Sequence, residues 1–132
     1  MPKADACLLD TNILLRMSKG DDPHYRVIGG ALRALVTRGV RLCYTSQTLG
    51  EFWNASTSVI ERDFEFLPDS QAVHDRWRRL LVEYEVKGVQ VHDTRLAASM
   101  FVHAIPQLLT INVRDFARFL DLRILHPADV SY

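Results

Sequence analysis

The sequence predicts an α/β domain of three layers: a five-stranded, mainly parallel sheet with helices on both faces. Three observations carry this expectation. Short apolar runs recur along the chain, and they are nearly continuous rather than alternating, which is how strands covered on both faces read. Segments with the helical spacing of apolar residues lie between them, so strand and helix alternate. The length, 132 residues, is that of one unit, and residues 1–132 are expected to form a single domain.

The elements follow in order. Ala6, Cys7, Leu8 and Leu9 make the first buried strand, and Asp10-Thr11-Asn12 supplies turn and cap chemistry before a helix begins at Ile13. A second helix is expected over residues 25–38, with Val27, Ala31, Ala34 and Leu35 on its inner face. Gly29 and Gly30 inside it each cost about 1 kcal/mol relative to Ala, so this helix needs tertiary support. Residues 41–44 form the next strand, and Ser46 caps a helix whose inner stripe is Leu49, Phe52, Trp53 and Ser56. Residues 62–70 look irregular. Asp69 or Ser70 then opens the clearest amphipathic helix of the chain, through Val73, Trp77, Leu80, Leu81 and Tyr84. After Gly88, residues 89–91 are expected as a brief third strand. Asp93 or Thr94 starts a helix that Pro106 stops, and residues 108–111 form a strand. Asp115 begins a short helix with Phe116, Phe119 and Leu120 inside, and residues 123–125 are the last strand.

Composition narrows the function. Apolar residues are 48% and charged residues 24%, with 16 Lys and Arg against 16 Asp and Glu, so no global basic field draws in nucleic acid. Cys7 and Cys43 sit in apolar runs and read as buried thiols of a reducing compartment, without zinc-ligand spacing. The N-terminus reaches an acid too soon for a signal peptide, and no apolar run approaches the ~18–20 residues of a membrane span. A cytoplasmic protein is expected.

The acids are the informative residues. In parallel sheets, ligands bind beyond the carboxyl ends of the strands. Asp10 follows the first strand, Glu51 lies in the helix after the second, Asp93 follows the expected third, and Asp115 follows the fourth. Taken singly, Asp10, Asp93 and Asp115 suit helix N-termini and Glu51 suits a solvated face. Jointly they would bring four carboxylates to one mouth. Like charges so placed raise one another's pKa, and a divalent cation relieves the repulsion. Oxygen ligands without Cys or clustered His favour Mg²⁺ or Mn²⁺, and the matching chemistry is attack of activated water on a phosphodiester.

These residues resemble a known family. LLDTNILL, the helical Glu in QTLGEFWN, VHDTRLAASM, and LLTINVRDFARF followed by RILHP are similar to the PIN domain, and most of all to small VapC-type toxins of bacterial toxin–antitoxin pairs. The likeness covers almost the whole chain. It implies a five-stranded parallel sheet and a Mg²⁺- or Mn²⁺-dependent endoribonuclease with its family acids at Asp10, Glu51, Asp93 and Asp115. It implies polar support from Thr11, Asn12 and Asn112, with Asn112 an alternative fourth contributor to Asp115. It also implies an antitoxin partner, with a candidate groove near Trp53 and residues 62–68, and a homodimer formed through helices near Trp53 or Trp77. The chain departs from the family at Thr94-Arg95, where small or aliphatic residues are common.

Arg95, Arg114 and Arg118 lie near the proposed mouth and are candidates for positioning RNA phosphates, whereas Arg76, Arg78 and Arg79 read as a solvated helix face. Scattered His residues offer no pair for metal-free acid–base cleavage. A receiver domain would want paired acids after the first strand and a Lys after the last. A phosphatase with a nucleophilic Asp would want an acid at Asn12. A non-catalytic RNA-binding or regulatory module on the same scaffold is the alternative to the nuclease.

Overall fold

In the computed structural model, which describes residues 5–53 and 57–130, the strand built from Ala-Cys-Leu-Leu lies at the centre of the sheet. The described chain runs β1 (Ala6–Leu9), α1 (Thr11–Met17), α2 (Tyr25–Thr37), β2 (Arg41–Thr45), α3 (Ser46–Phe52), α4 (Thr57–Asp63), β3 (Glu65–Leu67), α5 (Gln71–Glu83), α6 (Gln90–His103), β4 (Gln107–Leu109) and β5 (Arg123–Leu125). Two 3-10 turns, Val113–Phe116 and Pro127–Asp129, flank the last strand. The sheet order is β3-β2-β1-β4-β5 and every neighbouring pair is parallel.

The period-two geometry of strands divides the core. Ala6 and Leu8 of β1, with Cys43, Leu67 and Leu108, face α5, α6 and the Phe116–Phe119 segment. Cys7 and Leu9, with Leu42, Tyr44 and Leu109, face α1 to α4. β1, β2 and β4 are therefore buried on both sides, which explains their nearly unbroken apolar sequence. Cys7 and Cys43 point to opposite faces and form no disulfide, and burial, with Cys43 nearby, pushes the Cys7 thiol up to about 12. Among the described residues no helix is long and apolar enough to cross a membrane.

The chain goes from β1 outward through β2 to β3, then returns to the other side of β1 for β4 and β5. The order thus reverses between β1 and β4, and a crevice opens at their carboxyl ends.

Several expectations need correction. Residues 89–91 are no strand: Gly88 takes a positive φ of 69°, Val91 N–H donates to the Gly88 carbonyl, and the chain turns straight into α6. The β-branched residues there suggested a strand, yet Val89 is 84% exposed. The fifth strand is instead β3, inside the segment that looked irregular. It is an edge strand with only Leu67 fully buried, so its periodicity is faint. α6 opens at Gln90, ahead of Asp93 and Thr94, and Asp115 lies in a 3-10 turn. On α2, Ile28 rather than Val27 joins Ala31, Ala34 and Leu35 inside, and this face supplies the support that Gly29 and Gly30 require. Trp53 and Leu120 are not core residues; they are 71% and 90% exposed. Ser56 lies outside the described residues.

These burial differences set unequal mutational costs. Leu8→Ala, in the fully buried central strand, is expected to lose about 3 kcal/mol in urea unfolding. Leu120→Ala is expected to stay within about 0.5 kcal/mol. Equal effects would contradict the core assignment.

Candidate active site

Asp10 is the first residue past β1, and its main chain is still held to the sheet by donation of its N–H to the Leu109 carbonyl (3.0 Å). Its extended backbone makes it the N-cap of α1. The carboxylate is 7% exposed and held at both oxygens. Oδ1 accepts from Thr11 N–H (2.7 Å), while Oδ2 accepts from the Thr110 hydroxyl (2.8 Å) and the Asn12 side-chain amide (3.3 Å). A carboxylate offers about four acceptor sites. These three donors leave one direction on Oδ1 open.

Thr110 is the centre of this arrangement and was not foreseen from the sequence. It is fully buried, directly after β4. Besides donating to Asp10, its Oγ1 accepts from Asn12 Nδ2 (3.2 Å) and from the Asn112 backbone N–H (3.0 Å). Asn12 Oδ1 accepts in turn from Ile111 N–H (3.4 Å). The signal was legible: a lone hydroxyl ends the apolar run Leu108-Leu109 at the carboxyl end of a central strand. Thr11, through its backbone N–H, and Asn12, through its side-chain amide, both donate to Asp10. Asn112 contributes its backbone N–H, and its exposed side chain makes no cap.

The other acids arrive from separate elements. The Thr45–Thr48 capping box starts α3, which carries Glu51 on its exposed side one turn later. Asp93 is half-buried in the first turn of α6, and Asp115 is half-buried in the 3-10 turn after β4. All four interact electrostatically. Desolvation, then the charges of Asp10, Asp115 and Glu51, push the Asp93 carboxyl up to about 6. Burial raises Asp10 as well; its hydrogen bonds from Thr110 and Thr11 oppose this, and Glu51 and Asp115 add to the rise. Asp10 and Asp93 thus each feel the charges of the other acids read from the sequence.

The first turn of α6 is tied down from four directions. Gln47 Nε2 donates to the His92 carbonyl (3.2 Å) and Trp77 Nε1 to the Val91 carbonyl (2.9 Å). Arg118 donates to Gln90 Oε1, and Arg95 pairs with Asp69 while its guanidinium lies over Trp77. Arg95 is thus engaged within the protein. Arg114 is exposed on the 3-10 turn beside Asp115.

The donor set at the crevice is oxygen only, as a hard divalent cation requires. Among the described residues no three His, Cys, Asp or Glu side chains form a cluster that would hold an ion by themselves.

The raised carboxyl of Asp93 fixes the sign of a pH effect. A group whose folded pKa exceeds its unfolded value favours the folded state while protonated, and that contribution is lost as pH rises from about 4 through about 6. The metal-free protein should lose stability over this interval. Asp93→Asn should remove part of the loss; with solvent screening at this half-exposed site the gain at pH 7 is about 1 kcal/mol, or ~4 °C in Tm. Thermal unfolding at pH 5 and pH 7 in a chelator checks both, and a variant less stable than wild type at pH 7 would contradict the assigned repulsion.

No family model and no curated protein matches the chain. Solved structures do. A chain of a toxin–antitoxin complex from Klebsiella pneumoniae aligns with a TM-score of 0.70 and 24% identity over 92% of this chain and 97% of that one. A chain of VapBC2 from Rickettsia felis, bound to a DNA fragment from their promoter, aligns at 0.68 and 18% identity over 92% and 98%. A chain of FitAcB from Neisseria gonorrhoeae aligns at 0.68 and 16% identity over 94% and 99%. The chain has the PIN-like α/β fold that its sequence resembles.

Proposed function

We propose that the protein is a Mg²⁺- or Mn²⁺-dependent endoribonuclease that hydrolyses RNA phosphodiester bonds as the toxin of a toxin–antitoxin pair. The observation that carries this reading is that four acids from four separate elements come near enough for Glu51 and Asp115 to act on both Asp10 and Asp93, beside the switch point between β1 and β4. The toxin assignment is supported by full-length fold likeness to chains of toxin–antitoxin complexes.

Asp10 and Asp93 would hold the cation, with Glu51 and Asp115 binding through its waters or directly. The bound cation supplies an activated water and neutralises charge on the phosphate. The chain's own residues do the rest. The Thr110 and Asn12 donors fix the orientation of Asp10. Burial of Asp10 would strengthen its hold on a cation, whereas the half-buried Asp93 stays partly screened by solvent. Arg114, exposed beside Asp115, is placed to meet a substrate phosphate. Arg95 would do so only by leaving Asp69. An antitoxin that sends a Lys or Arg into the crevice would satisfy the same carboxylates in place of the cation. A second copy of the chain is the other expected partner.

The test is incubation with a panel of structured RNAs with and without Mg²⁺, followed by mapping of the product ends. Cleavage should need the cation and leave 5′-phosphate and 3′-hydroxyl ends. Asp10→Asn and Asp93→Asn should each lower the rate by at least about 10²-fold, the usual scale for removal of a group acting on the transition state. Cleavage that resists EDTA and leaves 2′,3′-cyclic phosphates would replace the metal mechanism. RNA binding without cleavage would assign the non-catalytic module instead.

A further inference from the structure

We infer that Gln47 is a positioning residue that sets the separation of Glu51 and Asp93, an inference that rests on the cation-binding reading of the crevice. Gln47 and Glu51 are four residues apart on α3, so they share a helix face. The Gln47 side chain crosses to α6 and donates from Nε2 to the His92 carbonyl, one residue before Asp93. It is the direct hydrogen bond between the helix carrying one acid and the turn carrying the other. The amide has only one orientation that serves: turned over, its oxygen would face the His92 carbonyl oxygen.

That orientation has a consequence at the other end of the amide. Gln47 Oε1 is buried without a hydrogen-bond partner among the described residues, the single such side-chain atom there. An unpaired buried acceptor destabilises a fold, and native structures keep few of them. Gln47 also lines a cleft with Thr45, Ser46, Leu67, Asp69, Arg95 and Ser99, in which about 10 Å³ is open, room for about one water. The bond across to α6, which an apolar side chain of the same length would not make, accounts for an amide at this position.

Gln47→Met separates the two roles, because it keeps the length and volume of the side chain and removes both the bond and the unpaired oxygen. Two quantities are read on the purified chain: the melting temperature in a chelator, and the Kd for Mn²⁺ by calorimetry. The inference expects a melting temperature equal to or above wild type together with a Kd for Mn²⁺ raised at least five-fold. Gln47→Glu, which keeps the shape but meets the His92 carbonyl with an oxygen at neutral pH, is expected to weaken Mn²⁺ binding despite its added negative charge. Unchanged Mn²⁺ affinity in Gln47→Met, at any melting temperature, would overturn the inference and leave the cation reading intact. Absence of Mn²⁺ binding by the wild type would overturn the cation reading, and the positioning role with it.

Discussion

Four carboxylates held at one end of a sheet repel one another, and most of what is distinctive in this structure answers that repulsion. The parallel order β3-β2-β1-β4-β5 places the ends of β1 and β4 side by side, and the helix after β2 and the first turn of α6 close around them. Hydrophobic burial on both faces of the sheet fixes the backbone. Local hydrogen bonds then hold the acids where charge alone would not leave them. Desolvation first, and then the charges of Asp10, Asp115 and Glu51, push the Asp93 carboxyl up to about 6.

The acids are held by different means. Asp10 is fixed by direct donors, of which Thr110 matters most because its one hydroxyl oxygen ties β4, Asn12 and the following turn to the same carboxylate. Asp93 is fixed indirectly, through the backbone of the turn that precedes it. Carbonyls of Val91 and His92, the side chain of Gln90, and Arg95 two residues later are all engaged by neighbouring elements.

The sequence made the sheet legible where strands are covered on both faces. Leu8, Cys43 and Leu108 lie in runs that are apolar regardless of period, and each proved to be in a strand. It failed at the β3 edge, though the β5 edge was found. β3 buries one residue fully, so its pattern fades into the surrounding polar chain, while the exposed Val89 and the half-buried Val91 mimic a strand that the positive φ of Gly88 forbids. Helical periodicity also misjudged Trp53 and Leu120, because large apolar residues near the end of a helix or turn can face solvent without breaking the pattern. The acids of the site were legible from their placement after strands, even though Asp93 follows a helix-to-helix turn rather than the strand assigned to it. Thr110 and Gln47 were not singled out, because a hydroxyl and an amide carry no charge pattern to mark them; their roles come from contacts 100 and 45 residues away in sequence.

The convergence of the four carboxylates is most directly tested by carbon-13 NMR titration of the Asp and Glu side-chain carboxyls in the metal-free protein. The account predicts that Asp93 titrates near 6, and that in Asp10→Asn its midpoint moves down toward the ordinary range of about 4. A midpoint near 4 in the wild-type protein, unmoved by that substitution, would contradict it.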